Sequence, residues 1–162
     1  MVNNEMMRKL LEKLVNRNSI KEVSFSINYL EQLFNPPLKN RYDCLIISDK
    51  PTQLSEQQFG EVIKSYGDKT GYEASNTEVR INDFISNSDI ILDDEILRLA
   101  LLVINIWSNK IKAIYPSDKF CFIISISKSY ATLRFHKVRE NEGMWLSDDL
   151  EKYEEAVGYI II

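Results

Sequence analysis

The residue types that most often carry catalysis are few and isolated in this chain. His136, the single histidine, lies in the segment Leu-Arg-Phe-His-Lys-Val, whose alternating apolar and polar residues indicate a strand. Histidine titrates near neutral pH and commonly acts as a general base. A base needs an oriented nucleophile, however, and no neighbouring motif supplies one. We therefore predict an ordinary polar strand residue at this position, and no catalytic residue in the protein.

Metal and cofactor sites are also not predicted. Cys44 and Cys121 each lie in an apolar run, Asp-Cys-Leu-Ile-Ile and Phe-Cys-Phe-Ile-Ile, which favours buried free thiols. One histidine and two strand cysteines do not make a zinc site of the usual spacing. The 5 glycines are spread along the chain, so no glycine-rich loop is present to hold a phosphate. We expect neither a metal nor a cofactor.

Acidic residues are concentrated at one end of the chain. The net charge is −4. Residues 140–162 contain seven acidic residues and one lysine, a net charge of −6, so residues 1–139 carry +2. Two large aromatic residues of the kind that anchor interfaces, Trp145 and Tyr153, lie among these acids.

This pattern has two interpretations. One is a solvated acidic face with Trp145 in the core. The other is an acidic docking surface for a basic partner, which charge complementarity would attract and select. The second interpretation gives these candidate partner-binding residues: Glu142, Trp145, Asp148, Asp149, Glu151, Tyr153, Glu154 and Glu155.

Nucleic acid and membrane are not expected as partners. The net charge is negative and the basic residues are scattered. A local basic patch would form only if the elements carrying Lys110, Lys112, Lys128, Arg134, Lys137 and Arg139 meet. The longest apolar block, residues 96–107, contains Arg98 and is shorter than the ~20 residues that span a bilayer. The polar N-terminus resembles no signal peptide, so we expect a cytoplasmic protein.

The N-terminal half predicts helices around one buried strand. Apolar residues at helical spacing predict an amphipathic helix over residues 4–17. Residues 24–34 are ambiguous, and the following Pro-Pro ends whatever element they form. Residues 42–48 predict a buried strand. Ser55 and Gln58 form a capping-box pattern that starts a helix, which we expect to stop at Gly67 and Gly71.

The C-terminal half predicts a sheet beside a buried helix. Residues 77–85 are a weak strand. A helix capped by Asp93 or Asp94 runs to about Ile111, apolar on most of its circumference and therefore expected between layers. Strands over 120–127 and 130–138 predict an antiparallel hairpin. A helical turn over 147–153 and a strand over 156–162 complete one α+β domain, residues 1–162, with a mainly antiparallel sheet and packed helices.

The C-terminal segment also resembles a known class of protein. Residues 133–142, Leu-Arg-Phe-His-Lys-Val-Arg-Glu-Asn-Glu, and residues 144–153, Met-Trp-Leu-Ser-Asp-Asp-Leu-Glu-Lys-Tyr, are similar to segments of bacterial immunity proteins. These accompany polymorphic toxins, including those of contact-dependent growth inhibition. The resemblance implies a cytoplasmic antitoxin that binds the C-terminal domain of its cognate toxin, often a nuclease that cuts tRNA, and performs no catalysis.

Two other functions compete with this one. An acidic adaptor or regulatory module would use the same surface on a different partner. A small enzyme would use His136 with a carboxylate that folding brings near it. A pocket containing that pair would favour the enzyme, and an open acidic face would favour binding. The sequence does not predict an oligomeric state.

Overall fold

The computed structural model describes residues 1–17, 24–49, 54–86 and 92–162. The described helices are α1 Glu5–Asn16, α2 Ile27–Phe34, α3 Glu56–Tyr66, α4 Lys69–Asn76 and α5 Asp93–Ile114. The described strands are β1 Val2–Asn3, β2 Leu38–Arg41, β3 Cys44–Ile47, β4 Val79–Arg80, β5 Phe120–Ser127, β6 Tyr130–Lys137 and β7 Ala156–Ile161. The main sheet has the order β1-β7-β5-β6-β4, and β2 and β3 form a separate hairpin. All pairings are antiparallel, which confirms the predicted α+β class.

The β5–β6 hairpin is the centre of the main sheet. Its two-residue turn consists of Lys128 and Ser129, both with positive φ (51° and 65°). Such turns match the natural twist of paired strands, although they usually contain asparagine or glycine. Asp93, at the start of α5, accepts a hydrogen bond from the Ser129 amide at 2.7 Å and holds the turn against the helix. The predicted hairpin and its turn are confirmed.

The main core lies between one face of this sheet and the helices α1, α2 and α5. Alternate residues of β5 (Phe122, Ile124 and Ile126) point into it, as alternation along a strand requires. Trp107 of α5 is 1% exposed, and its indole N–H donates to the Leu33 carbonyl at 2.8 Å, which joins α2 to α5. Because α1 and α5 also contact each other, the helices form one layer on one side of the sheet.

Helix α5 differs from the prediction in three respects. It continues to Ile114. Its N-cap is Leu92 rather than an aspartate, and the Glu95 carboxylate accepts from the Leu92 amide at 3.1 Å. One side of the helix faces solvent, with Leu102 49% exposed, so the helix is covered by the sheet on one side only. The prediction that α5 lies between two layers took every apolar residue of the helix to be buried. Isolated exposed leucines such as Leu102 are, however, common on protein surfaces.

Two further local predictions were wrong. Gly67 ends α3 with a φ of 88°, but Gly71 lies inside α4, which Asp68 caps through the Gly71 amide. Residues 77–85 form only a two-residue strand, followed by a 3₁₀ turn over Ile81–Phe84. The capping box of Ser55, the N-terminal helix and the C-terminal strand are confirmed. No helix within the described ranges is long and apolar enough to cross a membrane.

Candidate partner-binding surface

The outer face of the main sheet, opposite the helices, is covered by the irregular segment 138–155. Beneath it, a small apolar cluster joins the sheet to this covering segment and consists of Cys121, Ile123, Leu146, Leu150 and Val157. A single 3₁₀ turn, Leu150–Lys152, is the regular structure within the segment. All eight predicted partner-binding residues belong to this covering segment.

Asn4 and Glu151 fix the segment to the start of α1. The Glu151 carboxylate accepts the Glu5 amide with both oxygens, at 3.0 and 3.2 Å, where a negative charge also complements the helix dipole. Asn4 is 1% exposed; its side-chain oxygen accepts from Met7 and Val157, and its amide donates to the Glu155 carbonyl at 2.7 Å. Glu151 is therefore committed to the fold, although it remains exposed.

Contacts elsewhere fix three more of the predicted residues. Glu142 accepts from the amide and the hydroxyl of Thr70, at 2.8 and 2.7 Å, at the first turn of α4. The Tyr153 hydroxyl accepts from the Ser147 amide at 3.0 Å, and its ring packs against the outer cluster. Asp149 accepts from the Glu151 amide at 3.1 Å. These contacts preorganise the segment, so that little ordering entropy opposes binding.

Trp145 is held by its main chain while its side chain reaches solvent. The Trp145 amide lies 3.5 Å from Nε2 of His136, and the residue is 41% exposed. The interpretation of Trp145 as a core residue is therefore wrong. It borders a surface pocket of about 240 Å³ lined by Ile123, Ser125, Arg134, Trp145, Leu146, Tyr153, Glu155 and Val157.

Asp148, Asp149, Glu154 and Glu155 follow Trp145 in the covering segment, and of these four only Glu155 lines the pocket. Asp148, Asp149 and Glu154 are exposed and Glu155 is half-buried. None of the four forms an ion pair with any residue that the structure describes. Arg134, the cation in the pocket wall, is paired with Glu78. The segment that carries Trp145 is therefore acidic, and these four acids have no cationic partner among the residues that the structure describes.

His136 is not placed for catalysis. It is fully buried, Nδ1 lies 3.0 Å from the Lys137 carbonyl, and Nε2 faces the Trp145 amide. Burial lowers the pKa of His136, which keeps the ring neutral. The prediction that His136 lies in a strand is confirmed, and its complete burial is a finding that the sequence did not predict. The ring contacts the Trp145 amide and is not accessible to a substrate from solvent.

The two cysteines are both buried and free. Cys44 and Cys121 are buried free thiols, as predicted, and burial raises the pKa of each to about 12. Within the described ranges, no group of three or more histidines, cysteines or acids is arranged to hold a metal ion.

A second charged cluster, centred on Glu73, was not predicted. Glu73 is 0% exposed and accepts from the amides of Leu45 and Lys137 and from Arg139 Nη1, at 2.7, 2.8 and 2.7 Å. Thr77, one helical turn further, both donates to and accepts from the main chain of Phe135. β4 pairs only with the first half of β6, and α4 takes its place further along, where Thr77 bonds to Phe135 and Glu73 to Lys137. The bond from the Leu45 amide to Glu73 attaches the β2–β3 hairpin to the sheet.

Lys137 and Arg139, two members of the basic patch considered in the sequence analysis, belong to this cluster. Lys137 pairs with Asp43 and Asp118 at 2.8 and 3.0 Å, and Arg139 pairs with Glu73. These cations are thus neutralised by acids of the same chain. The alternating charges of residues 133–142 therefore serve the fold and not an anion site.

Comparison with known proteins places the chain in a family. A model described as the uncharacterized protein PM0498 family matches residues 1–161, and the chain belongs to that family. A relative from Pasteurella multocida (strain Pm70), named Uncharacterized protein PM0498, is 26% identical over 157 residues, which are 92% of this chain and 93% of the relative. No solved structure matches the chain. The family match includes both the helical half and the acidic segment.

Proposed function

We propose that this protein is an immunity protein that binds a bacterial toxin domain and neutralises it through the acidic surface around Trp145. The docking surface consists of Trp145, Asp148, Glu154 and Glu155. The proposal rests on one observation above all: the exposed Trp145 lies in a segment whose acids Asp148, Glu154 and Glu155 form no ion pair with any described residue. The resemblance of residues 133–153 to immunity proteins supports the same function.

The chemistry of the surface suits a basic toxin. Uncompensated carboxylates attract a cationic partner and raise its rate of association, and the aromatic residue supplies contact energy at the centre. Toxins that act on RNA carry basic surfaces because they must bind a polyanion. An acidic inhibitor on such a surface would exclude the substrate by occupying its site and by repelling its phosphates.

Growth rescue and co-purification test the proposal. The C-terminal domain encoded by the gene immediately upstream is induced in cells with and without this protein. We expect rescue of growth and a stable complex of the two purified proteins. A harmless neighbour, or a toxic one that neither binds this protein nor is neutralised by it, would contradict the proposal.

Charge reversal then tests the surface. Asp149 and Glu151 are left unchanged, because both form capping contacts that a lysine would break. The informative variant changes Asp148, Glu154 and Glu155 to lysine, and we expect the association rate to fall at least tenfold at low salt. The matched control changes three exposed acids on other elements, Glu12, Glu31 and Glu56, to lysine. Equal effects of the two triple variants would mean that net charge, and not this surface, governs binding.

A further inference from the structure

We infer that the pocket beside Trp145 receives one basic side chain of the partner, an arginine in preference to a lysine. This inference rests on the proposed function and specifies how that surface recognises its partner. The pocket opens on the outer face of the sheet, where the covering segment ends. Its lining combines the apolar Ile123, Leu146 and Val157 and the aromatic Trp145 and Tyr153 with the polar or charged Ser125, Arg134 and Glu155.

The size of the pocket fits one side chain. Its volume of about 240 Å³ is below the roughly 300–1,000 Å³ typical of pockets for drug-sized ligands. It corresponds to about eight water molecules at ~30 Å³ each. A single long side chain that enters from a protein surface fills such a space, whereas a nucleotide or a larger cofactor does not fit.

The charge of the pocket selects a cation. Arg134 and Glu155 both line it, but Nη2 of Arg134 is already paired with Glu78, and Nε of Arg134 is buried without a hydrogen-bond partner among the described residues. Glu155 has no cationic partner among the described residues, and Asp148 and Glu154 add negative charge to the same segment. An apolar side chain would bury the Glu155 carboxylate without a partner, which is costly, whereas a cation would neutralise it.

The aromatic walls favour arginine. Trp145 and Tyr153 line the pocket together, and tryptophan is the aromatic residue to which cations bind best. A guanidinium is planar, stacks on aromatic rings and pairs with a carboxylate through two parallel hydrogen bonds. An ammonium is more strongly hydrated and lacks this geometry, so lysine is expected to bind more weakly.

Titration of the protein with blocked amino acids tests the pocket without any toxin. The probe is Nα-acetyl-arginine methylamide, and the readout is the NMR signal of the Trp145 indole N–H. The Trp107 indole, buried and bonded to Leu33, is an internal reference that should not move. We expect a saturable shift in the millimolar range, with lysine weaker. Citrulline, the neutral isostere of arginine, should be at least tenfold weaker.

Variants assign the effect to the pocket. Glu155→Gln should reduce the affinity for the arginine probe at least fivefold, whereas the matched change Glu31→Gln, on an exposed acid of α2 on the opposite side of the sheet, should leave it within twofold. No shift at the Trp145 indole, or equal binding of citrulline, would overturn the inference. If the probe fails but the toxin is still neutralised, the proposed function stands and the inference falls. If the probe binds and no toxin is neutralised, the pocket for arginine is supported and the proposed function falls.

Discussion

Removal of the Glu73 carboxylate should destabilise the protein severely, because three donors converge on this fully buried side chain. The amides of Leu45 and Lys137 and the guanidinium of Arg139 each lie within 2.8 Å of one of its oxygens. Leaving a buried donor without an acceptor costs about 1–3 kcal/mol, and breaking a buried ion pair costs about 3–5 kcal/mol. Since these costs overlap, we expect Glu73→Ala to lower the free energy of unfolding by about 4–5 kcal/mol.

The replacement Glu73→Gln should be intermediate. Glutamine retains one oxygen acceptor, but its NH₂ group meets a donor, so a loss of about 2–3 kcal/mol follows. For a chain of this size, 1 kcal/mol shifts Tm by roughly 2–4 °C. The alanine variant should therefore melt about 10–15 °C lower and the glutamine variant about 5–10 °C lower, as measured by circular dichroism with parallel urea unfolding.

Glu61→Gln is the matched control. Glu61 also pairs with a cation, Lys64 at 2.8 Å, but its side chain is 66% exposed. Exposed pairs contribute about 0–1 kcal/mol, so Tm should change by no more than about 3 °C. If Glu73→Ala lowers the free energy of unfolding by less than about 1 kcal/mol, the reasoning that this carboxylate joins the hairpin to the sheet is refuted.

Two glycines and one aspartate give further predictions. A Cβ at Gly71 would lie 2.3 Å from the Tyr66 carbonyl oxygen, so Gly71→Ala should destabilise by at least about 2 kcal/mol in urea unfolding. Gly60 lies within α3 with open space around it, so Gly60→Ala should stabilise by about 0.5–1 kcal/mol in the same assay. The hydrogen bond from Lys137 lowers the pKa of Asp43, so this group stabilises the fold above its unfolded pKa of ~3.9, and the stabilisation is lost as pH falls through the lower folded value. Asp43→Asn should therefore flatten the pH dependence of Tm below about pH 4, and an unchanged acid limb would contradict this assignment.

The elements that could be predicted from the sequence are those held by contacts between residues close together in the chain. The capping box of Ser55 closes within three residues, and the hairpin of β5 and β6 closes through a two-residue turn. The β2–β3 hairpin was missed because β2, Leu38–Arg41, has one apolar residue in four and so lacks the alternation that indicates a strand. Its turn consists of Tyr42 and Asp43, both with positive φ. Distant groups hold this turn: Lys137 bonds to Asp43, and the Tyr42 hydroxyl donates to the Leu54 carbonyl.

The candidate surface was located by charge, but the use of each acid was not predictable. Acid density along the sequence indicated the segment that covers the sheet. Glu151, however, contacts Glu5, 146 residues away, and Glu142 contacts Thr70, 72 residues away. Contacts at such separations depend on how the helices pack against the sheet, which no local pattern encodes. The sequence therefore predicted where the acids are concentrated, and the structure separates Asp148, Glu154 and Glu155 from the acids that maintain the fold.

The position of the pocket follows from a change of polarity along β5. The outward-facing residues of this strand are, in order, Cys121, Ile123, Ser125 and Ser127, and only the last is exposed. Cys121 and Ile123 are apolar and require a cover, which the segment 138–155 provides. The two serines are polar and do not require one. The cover therefore ends above Ser125 and leaves the Trp145 side chain half exposed at its margin. The proposed partner would add to the layer that this segment begins on the outer face of the sheet, with Trp145 at the point of contact.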